Sequence, residues 1–168
     1  MNPTQFIDSP DAAAPVPHSE GVAFLAEADK DDWIRLFEHC MSIPFRVGDE
    51  IIRQGDTGQS LFIVAEGELE SVVTEKHRQQ TVQLALMPAQ SVFGEQAFFD
   101  GLPRSATVRA RTDGELLELT MERFETLAAL HPRLARMILF DLGRIVSLRL
   151  RTTTKVFIEA LDENPIHA

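Results

Sequence analysis

The sequence predicts an α+β fold that is mainly β: a sandwich or barrel of the jelly-roll kind, preceded by one helix and followed by long helices. Two textures carry this expectation. Between Pro44 and Leu119 short runs of β-formers alternate with Gly, Asp and polar pairs. On both sides of that stretch apolar residues recur at helical three-and-four spacing. With 168 residues, 44% of them hydrophobic, the chain can bury one core of ordinary size.

Residues 1–18 hold Pro3, Pro10, Pro15 and Pro17 among Ala, Ser and Asp. They cannot bury enough apolar surface to offset the entropy of ordering, and a disordered arm is expected there. From about Gly21 to Met41, Trp33, Leu36, Phe37 and Cys40 share a helical face behind Asp31 and Asp32, which suit a helix start. Pro44 closes that segment. Strands are expected at 50–52, 61–64, 69–73, 81–86, 107–110 and 116–119. Gly48-Asp49, Gly55-Asp56, Glu66-Gly67, His77-Arg78 and Asp113-Gly114 mark the turns between them.

Helical spacing returns over about 121–131 and, after Pro132, continues to about Leu161. There Leu134, Ile138, Leu142, Ile145, Val146, Leu148, Val156 and Phe157 fall on one face, with Arg133, Arg136, Arg144, Arg151 and Lys155 opposite. Arg149, Thr152 and Thr153 interrupt the apolar face. The stretch Leu134, Ile138, Leu142 and Ile145 is read as covering the β-domain and as a surface for a homodimer. The domain is placed at 19–161 and a short tail at 162–168.

Composition excludes several functions. A formal charge of -10 and a pI near 4.9 argue against a duplex-DNA reader, whose affinity comes from clustered Lys and Arg. A small anion is still permitted, because exposed charges are screened beyond about 8 Å at physiological salt. The single cysteine, Cys40, allows no intramolecular disulfide and no four-thiolate metal site, and reads as a small core residue. No apolar run reaches the roughly 18 residues of a membrane span and no signal peptide is visible, so a cytoplasmic location is expected, with neither membrane nor DNA as partner. His18, His39, His77, His131 and His167 lie apart, and no nucleophile–base pattern stands out. Neither a metal site nor catalysis is expected.

The chemistry concentrates in Phe93 to Val108, FGEQAFFDGLPRSATV. A glycine, an acidic residue and a short helical turn ended by Gly101 would expose unpaired backbone N–H groups, which suit an anion. Gly94 lets the backbone come close. Pro103 stiffens the exit, and Arg104 follows with a planar fork that can hold phosphate oxygens. A carboxylate at Glu95 and a guanidinium at Arg104 would then serve a ligand that carries both a hydroxyl and a phosphate.

This run resembles the phosphate-binding cassette of cyclic-nucleotide-binding domains, the family of catabolite-activator-type regulators, protein kinase A regulatory subunits and cyclic-nucleotide-gated channels. The upstream block Gly48-Asp49-Glu50-Ile51-Ile52-Arg53-Gln54-Gly55-Asp56, followed by Leu61 to Val64 and Gly67, is similar to the first half of that family's eight-stranded jelly-roll barrel. The resemblance covers about residues 25–160. It implies a sensor of cAMP or cGMP, with cAMP preferred on family frequency, that has no further cofactor and no catalytic machinery. Gly94 and Glu95, with Gln96 and Ala97 in the same turn, would serve the ribose, Arg104 and Ser105 the phosphate, and Ala106 a backbone donor. Leu84 and Leu86 are candidates for the pocket wall. Arg149, Thr152 and Thr153 could meet the base or a dimer interface. Gln96 departs from the usual aliphatic, and Phe98 and Phe99 replace smaller residues, which should alter the packing of the turn. The last helix would signal to an unidentified downstream protein or to a second copy, and no helix-turn-helix follows it. A ligand-free adaptor built on the same fold is the alternative.

Overall fold

The computed structural model describes residues 24–75 and 80–163. The expected arm at 1–18, the His77-Arg78 turn and residues 164–168 lie outside them. Among the described residues eight strands form two four-stranded antiparallel sheets rather than one closed ring. The first has the order β1 (Met41–Phe45), β8 (Gly114–Thr120), β3 (Ser60–Glu66), β6 (Val92–Phe93). The second has the order β2 (Glu50–Ile52), β7 (Thr107–Ala110), β4 (Leu69–Glu75), β5 (Gln80–Met87). Helix α1 (Lys30–His39) precedes the strands, α2 (Glu95–Asp100) interrupts them, and α3 (Met121–Leu130) and α4 (Pro132–Glu163) follow. This is the jelly-roll arrangement that the strand spacing predicted.

Strand β3 shows why the fold takes this form. Its run Leu61 to Ala65 is buried throughout, because successive side chains enter different cores. Leu61, Ile63 and Ala65 point to a cluster shared with α1, α3 and α4 that includes Leu36, Phe98, Phe124, Leu127, Leu134, Ile138 and Leu142. Phe62 and Val64 point between the sheets, to Phe45, Ile52, Leu69, Met87, Phe93, Val108 and Leu116. One sheet is therefore apolar on both faces, with helices on its outer side.

Two elements differ from expectation at their edges. Helix α1 is capped by Asp29 rather than Asp31: the Asp29 carboxylate accepts from the Asp32 N–H at 2.8 Å, and Asp32 accepts from the Asp29 N–H, a reciprocal cap. Residues 41–45, expected to end the helical segment at Pro44, form β1 instead. This strand lies at the sheet edge, where the missing proline N–H breaks no ladder.

Three polar contacts fasten α4 to the body. Arg133 Nη1 donates to both oxygens of the buried Asp32 at 3.0 and 2.9 Å. Asp141 accepts from the Leu25 N–H at 2.8 Å. Arg149 reaches the strand region, as described below. Leu134, Ile138, Leu142 and Ile145 are all buried in the chain's own core, so they cannot form the homodimer surface expected of them. The predicted apolar face also ends early. Val156 and Phe157, assigned to it, are 58% and 62% exposed, and every side chain from Leu150 to Glu159 is exposed. No helix of the described residues is long and apolar enough to cross a membrane.

Candidate functional site

The site is built where β6 runs into α2 and where the chain returns into β7. Gly94 caps α2 with φ +83, a left-handed conformation that a side chain would strain. A Cβ here would stand 2.8 Å from the Ser60 carbonyl oxygen and 2.9 Å from Arg104 Nη1, so the residue is fixed by close approach as well. Glu95 opens α2 and is 2% exposed. Ala97 and Phe98 face the core, Phe98 against Phe124 at 5.4 Å between ring centroids, whereas Gln96 and Phe99 face outward. The phenylalanine at 98 thus does what its size suggested and packs the short helix down onto α3.

Arg104 is held by its backbone and its head together. Its N–H donates to the Asp56 carbonyl at 2.8 Å and its carbonyl accepts from Gly55 at 2.9 Å. The Gly55-Asp56 turn noted in the sequence is therefore the brace of the cassette exit. Nη1 donates to the Ser60 carbonyl at 3.0 Å and the Gly94 carbonyl at 3.3 Å, and the guanidinium carbon lies 5.5 Å from the centroid of the Phe62 ring. Burial weakens its hold on the proton, while the carboxylates of Glu118 and Glu95 oppose that shift. Among the described residues Nε and Nη2 have no acceptor, and neither the Ser105 hydroxyl nor the Ala106 N–H is taken up by a hydrogen bond. Ser105 is exposed and Ala106 half-buried.

The structure joins Arg149 to this site. Its Nη1 lies 2.6 Å from Glu95 Oε2, and Nη2 donates to the Val92 carbonyl at 2.8 Å. The terminal helix thus contributes a charge to the carboxylate of the cassette. Thr152 and Thr153, one turn further on, are exposed. The register separates the two leucines of β5. Leu86 pairs with Glu70, which in turn pairs with Arg109, placing it on the face opposite Leu69 and Met87. Leu84 is the extra residue at the shift between the Ser71–Ala85 and Val72–Gln83 pairs, and it is 58% exposed. Phe62 and Phe93, stacked at 5.1 Å, were not singled out from the sequence, because only the cross-strand pairing brings them beneath Arg104.

Residues 42–131, more than half of the chain, match the family profile described as "Cyclic nucleotide-binding domain". The chain belongs to the cyclic nucleotide-binding domain family. It is 34% identical over 113 residues to a cAMP-dependent protein kinase regulatory subunit of Dictyostelium discoideum, a match covering 64% of this chain and 34% of that protein. The chain spans about a third or less of the length of the curated relatives it matches. Among solved structures it is similar to the catabolite activator protein of Thermus thermophilus, at a TM-score of 0.72 and 28% identity, covering 83% of this chain and 62% of that one. It is also similar to the regulator CLP of Xanthomonas campestris, titled c-di-GMP responsive, at a TM-score of 0.67 and 27% identity, covering 76% and 62%. A cyclic nucleotide-binding domain is thus the class in which the cassette must be read. No group of three or more His, Cys, Asp or Glu side chains that could hold a metal occurs among the described residues.

Proposed function

We propose that this chain is a non-catalytic cyclic-nucleotide sensor, with cAMP its favoured ligand over cGMP. Glu95 accepts the ribose 2'-hydroxyl through the oxygen that Arg149 leaves open. Arg104 offers Nε and Nη2 to the ring phosphate, and the Ser105 hydroxyl and Ala106 N–H complete its cradle. Gly94 keeps the backbone close, Gln96 and Ala97 belong to the same turn, and Leu84 borders the base end, where Thr152 and Thr153 are within one or two turns of Arg149. The observation that carries this reading is the pair of buried, oppositely charged side chains at the two ends of one short segment, each with bonding capacity unspent.

Output passes through α4. A ligand moves that helix only by its preference for one position of it, a few kcal/mol in typical switches. The reader of that movement is a second copy of this chain. Phe140, Gly143, Ser147, Leu150, Thr154 and Phe157 are all exposed and follow a three-four spacing along α4, a mixture of large and small residues, as in a two-helix seam.

Calorimetry tests the ligand. Saturable heat with cAMP that is lost in Arg104→Ala supports the sensor. The Glu95–Arg149 pair is the one observation that favours the other reading, a scaffold whose site is closed on itself. Folded protein that gives no heat with cAMP, cGMP or cyclic di-GMP would establish that scaffold.

A further inference from the structure

We infer that Phe62, backed by Phe93, is a positioning residue that presets the Arg104 guanidinium for an incoming phosphate. The inference rests on reading Arg104 as the phosphate ligand. Phe62 is 6% exposed on β3, where the register sets it between Glu118 on β8 and Phe93 on β6. Its ring and that of Phe93 are stacked at 5.1 Å and 13°, and the guanidinium carbon lies 5.5 Å from the Phe62 centroid. That is within the range at which a cation is drawn to an aromatic face, and the attraction grows where water is excluded.

Two glycines complete the enclosure. A Cβ at Gly58 would lie 3.5 Å from Nη2, and one at Gly94 would lie 2.9 Å from Nη1 and 3.2 Å from Phe62 Cδ2. The guanidinium is thus bounded on these sides by ring and bare backbone, with Nη1 spent on the Ser60 and Gly94 carbonyls and the Glu118 carboxylate near enough to act on its charge. What remains is one edge, Nε and Nη2, already oriented. A preset donor fork spares the ligand the cost of ordering a long side chain, so losing the ring should appear as lost affinity.

The test is a double-mutant cycle read by calorimetry with cAMP, together with the Arg104 Nε–Hε cross-peak of the unliganded protein. Phe62→Leu should weaken binding about fivefold when residue 104 is Arg, and under about twofold in the Arg104→Lys background, where no planar fork remains to be held. It should also move the cross-peak downfield, away from the ring-current position. Equal losses in both backgrounds mean a merely structural residue and overturn the inference, as does an unmoved cross-peak. Phe93→Leu, which strips only the backing ring, gives the same pattern at smaller size and decides the matter if Phe62→Leu does not fold. Wild-type protein that binds no cAMP defeats the reading of the site alone. The cross-peak still decides whether the ring positions Arg104.

Discussion

Replacing Arg149 by Ala isolates the contact that ties the terminal helix to the cassette. The Glu95 side chain is 3% exposed, so removing its direct partner leaves a carboxylate out of reach of water, with only the more distant Arg104 charge to offset it. For a wholly buried pair the loss would be about 3 kcal/mol or more; Arg149 is 33% exposed, solvent already shares its charge, and about 2 kcal/mol is expected. For a domain of this size that lowers the melting temperature by about 4–8 °C. Helix propensity works the other way, since Ala is the better helix former, so a loss cannot be assigned to the helix itself. The assay is thermal denaturation of four proteins: wild type, Arg149→Ala, Glu95→Gln and the double variant. In the Glu95→Gln background no charge is stranded, and Arg149→Ala should cost only the Val92 hydrogen bond, about 1 kcal/mol. Equal costs in the two backgrounds, or a melting point unchanged in Arg149→Ala, would refute the reasoning.

Other perturbations follow from the same structure. Gly94→Ala meets both a left-handed φ and the Ser60 carbonyl oxygen, and should destabilise the fold by about 2 kcal/mol or more, measured by denaturant titration. Asp32→Ala removes the Arg133 latch and half of the α1 cap, and should cost about 2–3 kcal/mol in the same assay. Burial pushes the Cys40 thiol up from 9.0 to about 12, so its protonated form is favoured in the folded state. The stability this provides is whole below pH 9, and is lost as pH rises from there to about 12. At pH 8 Cys40 in the native chain should react with a thiol reagent at least about a hundredfold more slowly than in the denatured chain, because the thiolate fraction falls tenfold per unit. Leu150→Glu with Phe157→Glu should leave the melting point of the single chain within about 1 °C, both sites being exposed, while sedimentation shows the two-copy species gone.

The strands at 50–52 and 107–110 could be read directly, because flanking Gly-Asp turns punctuate them and their β-formers are local signals. Strand β1 could not, since Pro44 stops a helix and ends a ladder alike, and only its edge position makes it harmless. Periodicity placed Val156 and Phe157 on the apolar face of α4 correctly as angles. It cannot say whether a neighbour stands opposite, and beyond Arg149 none does among the described residues. In the site, Gly94, Glu95 and Arg104 were legible because sixteen consecutive residues contain both charges and the turn between them. The partners were not. Arg149 meets Val92 across 57 positions and Arg104 meets Ser60 across 44, distances over which only the packed fold fixes who touches whom. Leu84 and Leu86 were named together as candidates for the pocket wall, and the extra residue in β5 gives them different register positions, which sequence alone does not reveal.

The helix that carries Arg149 is rooted along its first half and stands clear along its second. Such a rod converts angle into travel. From Ile145 to Glu163 it extends about 27 Å, so a tilt of about 10° at the root sweeps its tip through roughly 5 Å, about the width of one helical turn. A shift of about an ångström around Glu95 would thus become a displacement large enough to change which groove a neighbouring rod can occupy.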